Sequence, residues 1–149
     1  MNLKERLENE LHNAMRNKDD DRKRSIRMAL SNIKLAEVEK RNELDDDSVI
    51  ALIHKEIKIC KETIEEAKKG DRKSIIEEME SEIAILQEFL PKPLSDQELQ
   101  EIASGVIHEL KATSLKEMGL VMKDMISKVG GRASSDHISR VVRELLQSK

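Results

Sequence analysis

Apolar residues recur along the chain at three- and four-residue steps, and no segment alternates with a period of two. Every periodic stretch therefore predicts helix and none predicts strand. Leu3, Leu7, Leu11, Ala14 and Met15 mark the first face, opened by Asn2 with Glu5 three residues on, the spacing of a capping box. Beyond Asp19-Asp20-Asp21, a second helix carries Ile26, Ala29, Leu30, Ile33 and Val38 toward Asn42. Asp45-Asp46-Asp47 suits the positive end of a third helix, whose stripe is Val49, Leu52, Ile53, Ile57, Cys60 and Ile64. Gly70 is expected to close that helix and Asp71 to cap a fourth, carrying Ile75, Ile76, Met79, Ile83, Leu86 and Leu90.

Pro91-Lys92-Pro93 cannot continue a helix, and each proline pushes its predecessor toward extended backbone. A domain boundary is expected there, dividing residues 1–92 from 93–149. Ser95 with Glu98 forms a capping box, and Leu94 and Leu99 occupy hydrophobic-staple positions. The helix that follows carries Leu99, Ile102, Ala103, Val106, Ile107 and Leu110. A second box, Ser114 with Glu117, is expected to open a helix bearing Leu115, Met118, Met122, Met125, Ile126 and Val129, which Gly130-Gly131 stops. Ser134 or Ser135 caps the last helix, with Ile138, Val141, Val142, Leu145 and Leu146 on one side. The expected fold is all-α: an N-terminal bundle of about four helices, then a small three-helix C-terminal domain.

Composition narrows the function. Among 149 residues there is one Phe and neither Trp nor Tyr, so the aromatic shelf on which single-strand binders stack bases is missing. A single cysteine excludes an intramolecular disulfide framework and a thiolate zinc cage. The run Val49–Ile53 is too short to cross a bilayer, and Met1-Asn2-Leu3-Lys4-Glu5 lacks the apolar stretch of a secretory signal. A cytoplasmic chain with no membrane partner is the expectation. Net charge is −3, but unevenly spread: residues 1–42 hold 11 basic against 8 acidic side chains, 43–93 hold 8 against 14, and 94–149 hold 8 against 8. The acidic middle would repel nucleic acid. In the densest basic stretch, Arg16 to Arg27, the three aspartates cancel half the charge, and it reads as a solvated interhelical turn.

No arranged chemistry stands out. His12, His54, His108 and His137 are isolated from one another and from metal-ligand spacings, so no metal is expected. Cys60 falls on an apolar stripe and reads as core; His54, six residues back, lies roughly 240° around the same helix. Phosphate loop and nucleophile elbow are both missing, so neither a catalytic residue nor a cofactor is expected. Met118, Met122 and Met125 read first as core. Lys116 and Lys123, seven residues apart, would share a helix face within about 20°, with Ser127 nearby. That face is either solvated or a pair of phosphate contacts. Gly119 points first to a close helix crossing and second to the approach of a ligand backbone. Gly130-Gly131-Arg132 reads first as a helix stop, with a phosphate-gripping turn as the alternative.

The stretch Glu117-Met118-Gly119-Leu120-Val121-Met122, then Gly131-Arg132-Ala133 and an amphipathic last helix, resembles the C-terminal signature of the GatB/YqeY family. Met15–Asp19, Ser25–Met28, Lys55–Lys58 and Glu88–Pro91 are similar to that family's N-terminal motifs, in the same order. The resemblance covers essentially the whole chain. It implies an all-helical, two-domain, free-standing protein similar to the tail of the B subunit of the glutamine-dependent Asp/Glu-tRNA amidotransferase. In that enzyme the tail helps hold tRNA, and the catalytic core, a carbon–nitrogen ligase with glutamine as amido donor, lies elsewhere. The implied role here is accessory tRNA binding without catalysis; the candidate contacts, read from the residues of the C-terminal unit, are Lys116, Lys123, Lys128, Arg132, Arg140 and Arg143, with Gly119, Gly130 and Gly131 shaping the backbone. Amidotransferase or aminoacyl-tRNA synthetase components are the implied protein partners. Leu120 and Lys123 stand where the family usually has lysine and glycine, and Ser134-Ser135 replaces a common Asp-Gly turn. Two rival readings are a protein–protein adaptor built on the N-terminal helices and a participant in amidotransfer with other subunits.

Overall fold

The computed structural model describes residues 1–148. Seven α-helices, one 3-10 turn and no strand occur among them. Helices α1 (Leu3–Arg16), α2 (Asp20–Lys40), α3 (Asp46–Lys69) and α4 (Lys73–Gln87) build one compact unit, Met1–Leu90. Helices α5 (Asp96–Leu110), α6 (Met118–Val129) and α7 (Ser135–Gln147) build a second, which begins at Pro91.

Most helices begin where a short polar side chain accepts one of their orphan amides. Asn2 accepts from the Glu5 amide at 2.8 Å, Asp19 from Arg22 at 3.2 Å, Asp45 from Ser48 at 2.9 Å and Ser134 from His137 at 3.2 Å. Before α5 the capping box is complete: Ser95 Oγ accepts from the Glu98 amide, and Glu98 Oε1 from the Ser95 amide. Each such cap is worth about 1 kcal/mol.

Two expected starts are corrected. Asp71 does not cap α4; Arg72 holds that position and supplies no side-chain cap. Asp71 instead serves the end of α3, where its left-handed backbone (φ 53°) lets the Arg72 amide donate to the Ala67 carbonyl at 2.9 Å. The same device closes α1 at Lys18 and α5 at Lys111. The box at Ser114 and Glu117 does not form either. Ser114 Oγ accepts from the Lys116 amide, Glu117 turns to the Thr113 hydroxyl, and Leu115–Glu117 winds as a 3-10 turn before α6 starts at Met118.

Each unit has its own core. In the first, Leu3 and Leu7 of α1 pack with Ile26, Ala29 and Ile33 of α2, Val49, Ile53 and Ile57 of α3, Leu86 of α4 and Phe89. In the second, Leu94 and Leu99 join Ala103, Val106 and Ile107 of α5, Val121, Met125 and Val129 of α6, and Ile138, Val141, Val142 and Leu146 of α7. Met118 and Met122 pack against that core from its edge. The stripe of α6 is rotated from the expected one: Val121 is buried, while Ile126 and Leu115 are exposed.

Val38 is also corrected, being 67% exposed. It lies five residues beyond Ile33, whereas the position one turn on is Glu37. The Glu37 carboxylate accepts from Lys4 Nζ at 2.8 Å and from the Leu44 amide at 3.0 Å, so a charge on the stripe ties α1 to the α2–α3 connection. Phe89, the lone aromatic residue, is buried beneath the Arg6 and Arg22 guanidinium groups, 5.0 and 5.8 Å from the ring centre. Arg22 also bonds Glu10 of α1 at 3.0 Å and Glu88 at 2.7 Å, so part of the basic stretch is spent inside the unit.

The Lys4 ammonium, then the Leu44 amide, hold the Glu37 carboxyl below its ordinary value. Its contribution to stability is therefore present above the unfolded carboxyl pKa of about 4.3 and lost as pH falls through the lower folded value. Glu37→Gln should lower the melting temperature at pH 7, and the gap from the parent should close in melts below about pH 4. A gap that is constant across pH would mean that Glu37 acts only through its shape.

Candidate nucleic-acid interface

The six candidate cations divide by what already holds them. Lys128, in the last turn of α6, lies 3.0 Å from Glu109 of α5 and 3.8 Å from Asp124, and the Glu109 bond pushes its ammonium pKa up. Arg132 turns back on α6, donating Nε–H to the Val129 carbonyl at 2.9 Å and Nη2–H to the Lys128 carbonyl at 3.0 Å. It thereby caps carbonyls that the helix end leaves without partners. Arg140 is exposed, 3.6 Å from Asp96, which also bonds the His137 ring. Exposed ion pairs of this kind are worth little. Lys116, Lys123 and Arg143 are exposed and, among the described residues, make no ion pair. Lys111, outside the expected set, is likewise exposed and, among the described residues, makes no ion pair.

The glycines fall into two kinds. Gly130 and Gly131 are left-handed, at φ 58° and 84°, and make the α6–α7 turn that side chains resist. The Gly130 and Arg132 amides donate to the Ile126 and Val129 carbonyls, so these amides serve the helix end. Gly119 is corrected: a β-carbon there would meet nothing within 4 Å, so no close helix crossing explains it. It lies in the first turn of α6, one turn before Lys123, on a face that continues through Leu120, Ile126 and Ser127. Lys116 is on the preceding 3-10 turn, so its seven-residue spacing from Lys123 no longer defines a common helix face.

A different cluster lies in the first unit, where sequence reading saw only core. Glu56 and Cys60, one turn apart on α3, meet Glu82 of α4, with one donor atom from each within 4.8 Å of the others. Burial, then the neighbouring Glu82 and Glu56 carboxylates, pushes the Cys60 thiol up to about 12, so it is a protonated thiol and no nucleophile at neutral pH. Burial and the Glu56 carboxylate likewise push the Glu82 carboxyl up. Asn32 of α2 donates to Glu56 Oε2 at 3.3 Å. The signal in the sequence was Glu82 itself, which continues the register of Ile75, Met79 and Leu86 on an otherwise apolar stripe.

Among the described residues no helix is long and apolar enough to cross a membrane. Similarity to known proteins runs the length of the chain. It is 36% identical over 131 residues to "Altered inheritance of mitochondria protein 41, mitochondrial" of Lachancea thermotolerans, covering 86% of this chain and 68% of that protein. To the protein of the same name in Pyrenophora tritici-repentis it is 26% identical, covering 97% of this chain and 81% of the relative. An uncharacterized protein of Schizosaccharomyces pombe is 30% identical over 95 residues, covering 64% and 77%. Two of these names place their proteins in mitochondria, where the sequence reading expects a cytoplasmic chain. The family model described as "Yqey-like protein" matches residues 4–146, and the chain belongs to the YqeY-like family.

Proposed function

We propose that the chain is a non-catalytic tRNA-binding accessory protein whose C-terminal unit contacts the phosphate backbone. The observation that carries this reading is that Lys116, Lys123 and Arg143 are exposed and held by no carboxylate among the described residues, with the open backbone of Gly119 one turn before Lys123 on α6. Arg140 joins them, because a phosphate competes well with an exposed carboxylate at 3.6 Å. A unit with balanced charge attracts polyanions through cations that carboxylates leave unpaired rather than through its net charge. The likeness of this region to the amidotransferase tail supplies the class of RNA. Lys128 and Arg132 support the surface from within, by holding the end of α6.

A second reading has one observation behind it. Leu35 and Val38, three residues apart on α2, are both exposed, an apolar pair that a protein partner would cover. Crosslinking in cells, with sequencing of bound RNA and mass spectrometry of bound protein, separates the two readings.

Four phosphate contacts at about 0.7–0.9 each predict that tRNA affinity falls with salt at a log–log slope near −3. Lys123→Glu with Arg143→Glu should weaken binding at least tenfold, about 1.4 kcal/mol, with helicity unchanged. Folded tRNA should bind better than unstructured RNA of equal length, since stacking residues are lacking. Equal affinity for the two RNAs, or none for tRNA at low salt, would overturn the proposal. Arg132→Glu is the contrasting variant, expected to lower the melting temperature because it uncaps α6.

Gly119→Ala tests the backbone contact separately. Its β-carbon enters open space, so folding should gain about 0.5–1 kcal/mol from helix propensity. Binding to tRNA should nevertheless weaken severalfold. Gain in both stability and affinity would show that no phosphate approaches the helix there.

A further inference from the structure

Glu82 is the least expected side chain of the N-terminal unit. It is only 5% exposed, and its Oε1 accepts no hydrogen bond from any described residue. Burying a carboxylate oxygen without a partner is costly, and native folds seldom tolerate it without a reason. Glu56 and Cys60 stand on the facing turns of α3, and one donor atom of each lies within 4.8 Å of the others and of Glu82. We propose that Glu56, Cys60 and Glu82 bind a single divalent ion of the zinc class between α3 and α4.

A shared proton is the simpler way to keep two carboxylates together. A proton between the Glu56 and Glu82 carboxyls joins one facing pair of oxygens. A cation attracts all the donors at once. The donor set then selects among cations. One sulfur is too soft for magnesium or calcium, which take oxygen ligands, and two carboxylates are too hard for copper(I). One thiolate with two carboxylates suits zinc, cobalt(II) or iron(II), and three protein ligands leave a fourth tetrahedral position for water.

Metal–ligand bonds of about 2.0–2.3 Å require donors about 3.5 Å apart, so the group must contract. Two glutamates with rotatable side chains can do so while the helices stay in place. The Asn32 amide, bonded to Glu56 Oε2 at 3.3 Å, would orient that carboxylate, as outer partners of metal ligands do. On binding, the thiol proton and any carboxyl proton leave to solvent, and the cation takes their place.

The test uses the purified full-length chain, stripped with chelator, kept reduced without added thiols, and titrated with cobalt(II) or zinc(II). One equivalent of cobalt should produce thiolate-to-cobalt charge-transfer absorption, which zinc abolishes by displacement. Zinc should also raise the melting temperature, and chelator should reverse the rise. Cys60→Ser should remove the absorption band. Glu82→Gln and Glu56→Gln should each weaken zinc at least tenfold with helicity retained; the second variant, on a half-buried residue, serves if the first fails to fold. Absence of the band from the unmutated chain overturns the proposal. So does zinc stabilisation of equal size in Cys60→Ser and Glu82→Gln, which would place the metal on surface histidines or carboxylates.

Discussion

Every helix of this chain offers one apolar stripe, and the rest of the structure depends on burying those stripes against one another. There is little aromatic bulk to help: the lone Phe89 is already fixed beneath two guanidinium groups. A polar side chain on a stripe therefore has to be answered by something specific. Glu37, one turn beyond Ile33, is answered twice, by the Lys4 ammonium and the Leu44 amide, and becomes a tie between elements. Glu82 occupies the equivalent kind of position on α4 and is answered incompletely, with one oxygen unpartnered. The same constraint that makes Glu37 a structural contact makes Glu82 a candidate ligand.

How far the fold could be read follows from which interactions are local. Period and capping are local, so the seven helices, the caps at Asn2 and Ser95, the acidic start of α3 and a serine cap at 134 or 135 were legible. The errors lie at the ends of elements. Asp71 has the side chain of an N-cap, but the preceding helix needed a left-handed residue first, and that backbone requirement prevailed. Ser114 and Glu117 have the spacing of a capping box, yet a hydroxyl satisfied one residue earlier starts a 3-10 turn instead. Along α6 the buried face runs through Val121, Met125 and Val129, while Leu115 and Ile126 are exposed.

The site was less legible because it depends on partners from other helices. Spacing tells which face of a helix a lysine occupies; it does not tell that Glu109, nineteen residues away on α5, reaches Lys128. Nor does it show that the Arg132 side chain folds back on its own helix end and bonds the Val129 and Lys128 carbonyls. Three of the six candidates, Lys116, Lys123 and Arg143, remain exposed without an ion pair among the described residues. The carboxylates near Cys60 were hidden for the same reason. Glu56 is in register with Cys60 along α3, but the third donor arrives from α4.

The departures from the family pattern now have a physical reading on α6. Leu120 stands where the resemblance expects a lysine, and it is 66% exposed, so the exchange is not a repacking of the core. Lys123 stands where a glycine is expected, three residues and about 4.5 Å further along the helix. The exposed face keeps one cation and one bare stretch of backbone, with the cation displaced by nearly a turn and the bare stretch confined to Gly119. A long, flexible ammonium tolerates such a displacement, because a phosphate contact made by a point charge needs reach more than fixed geometry. Under the proposed reading, loss of lysine at position 120 is therefore offset by Lys123, whereas no neighbouring residue offers the open backbone found at Gly119.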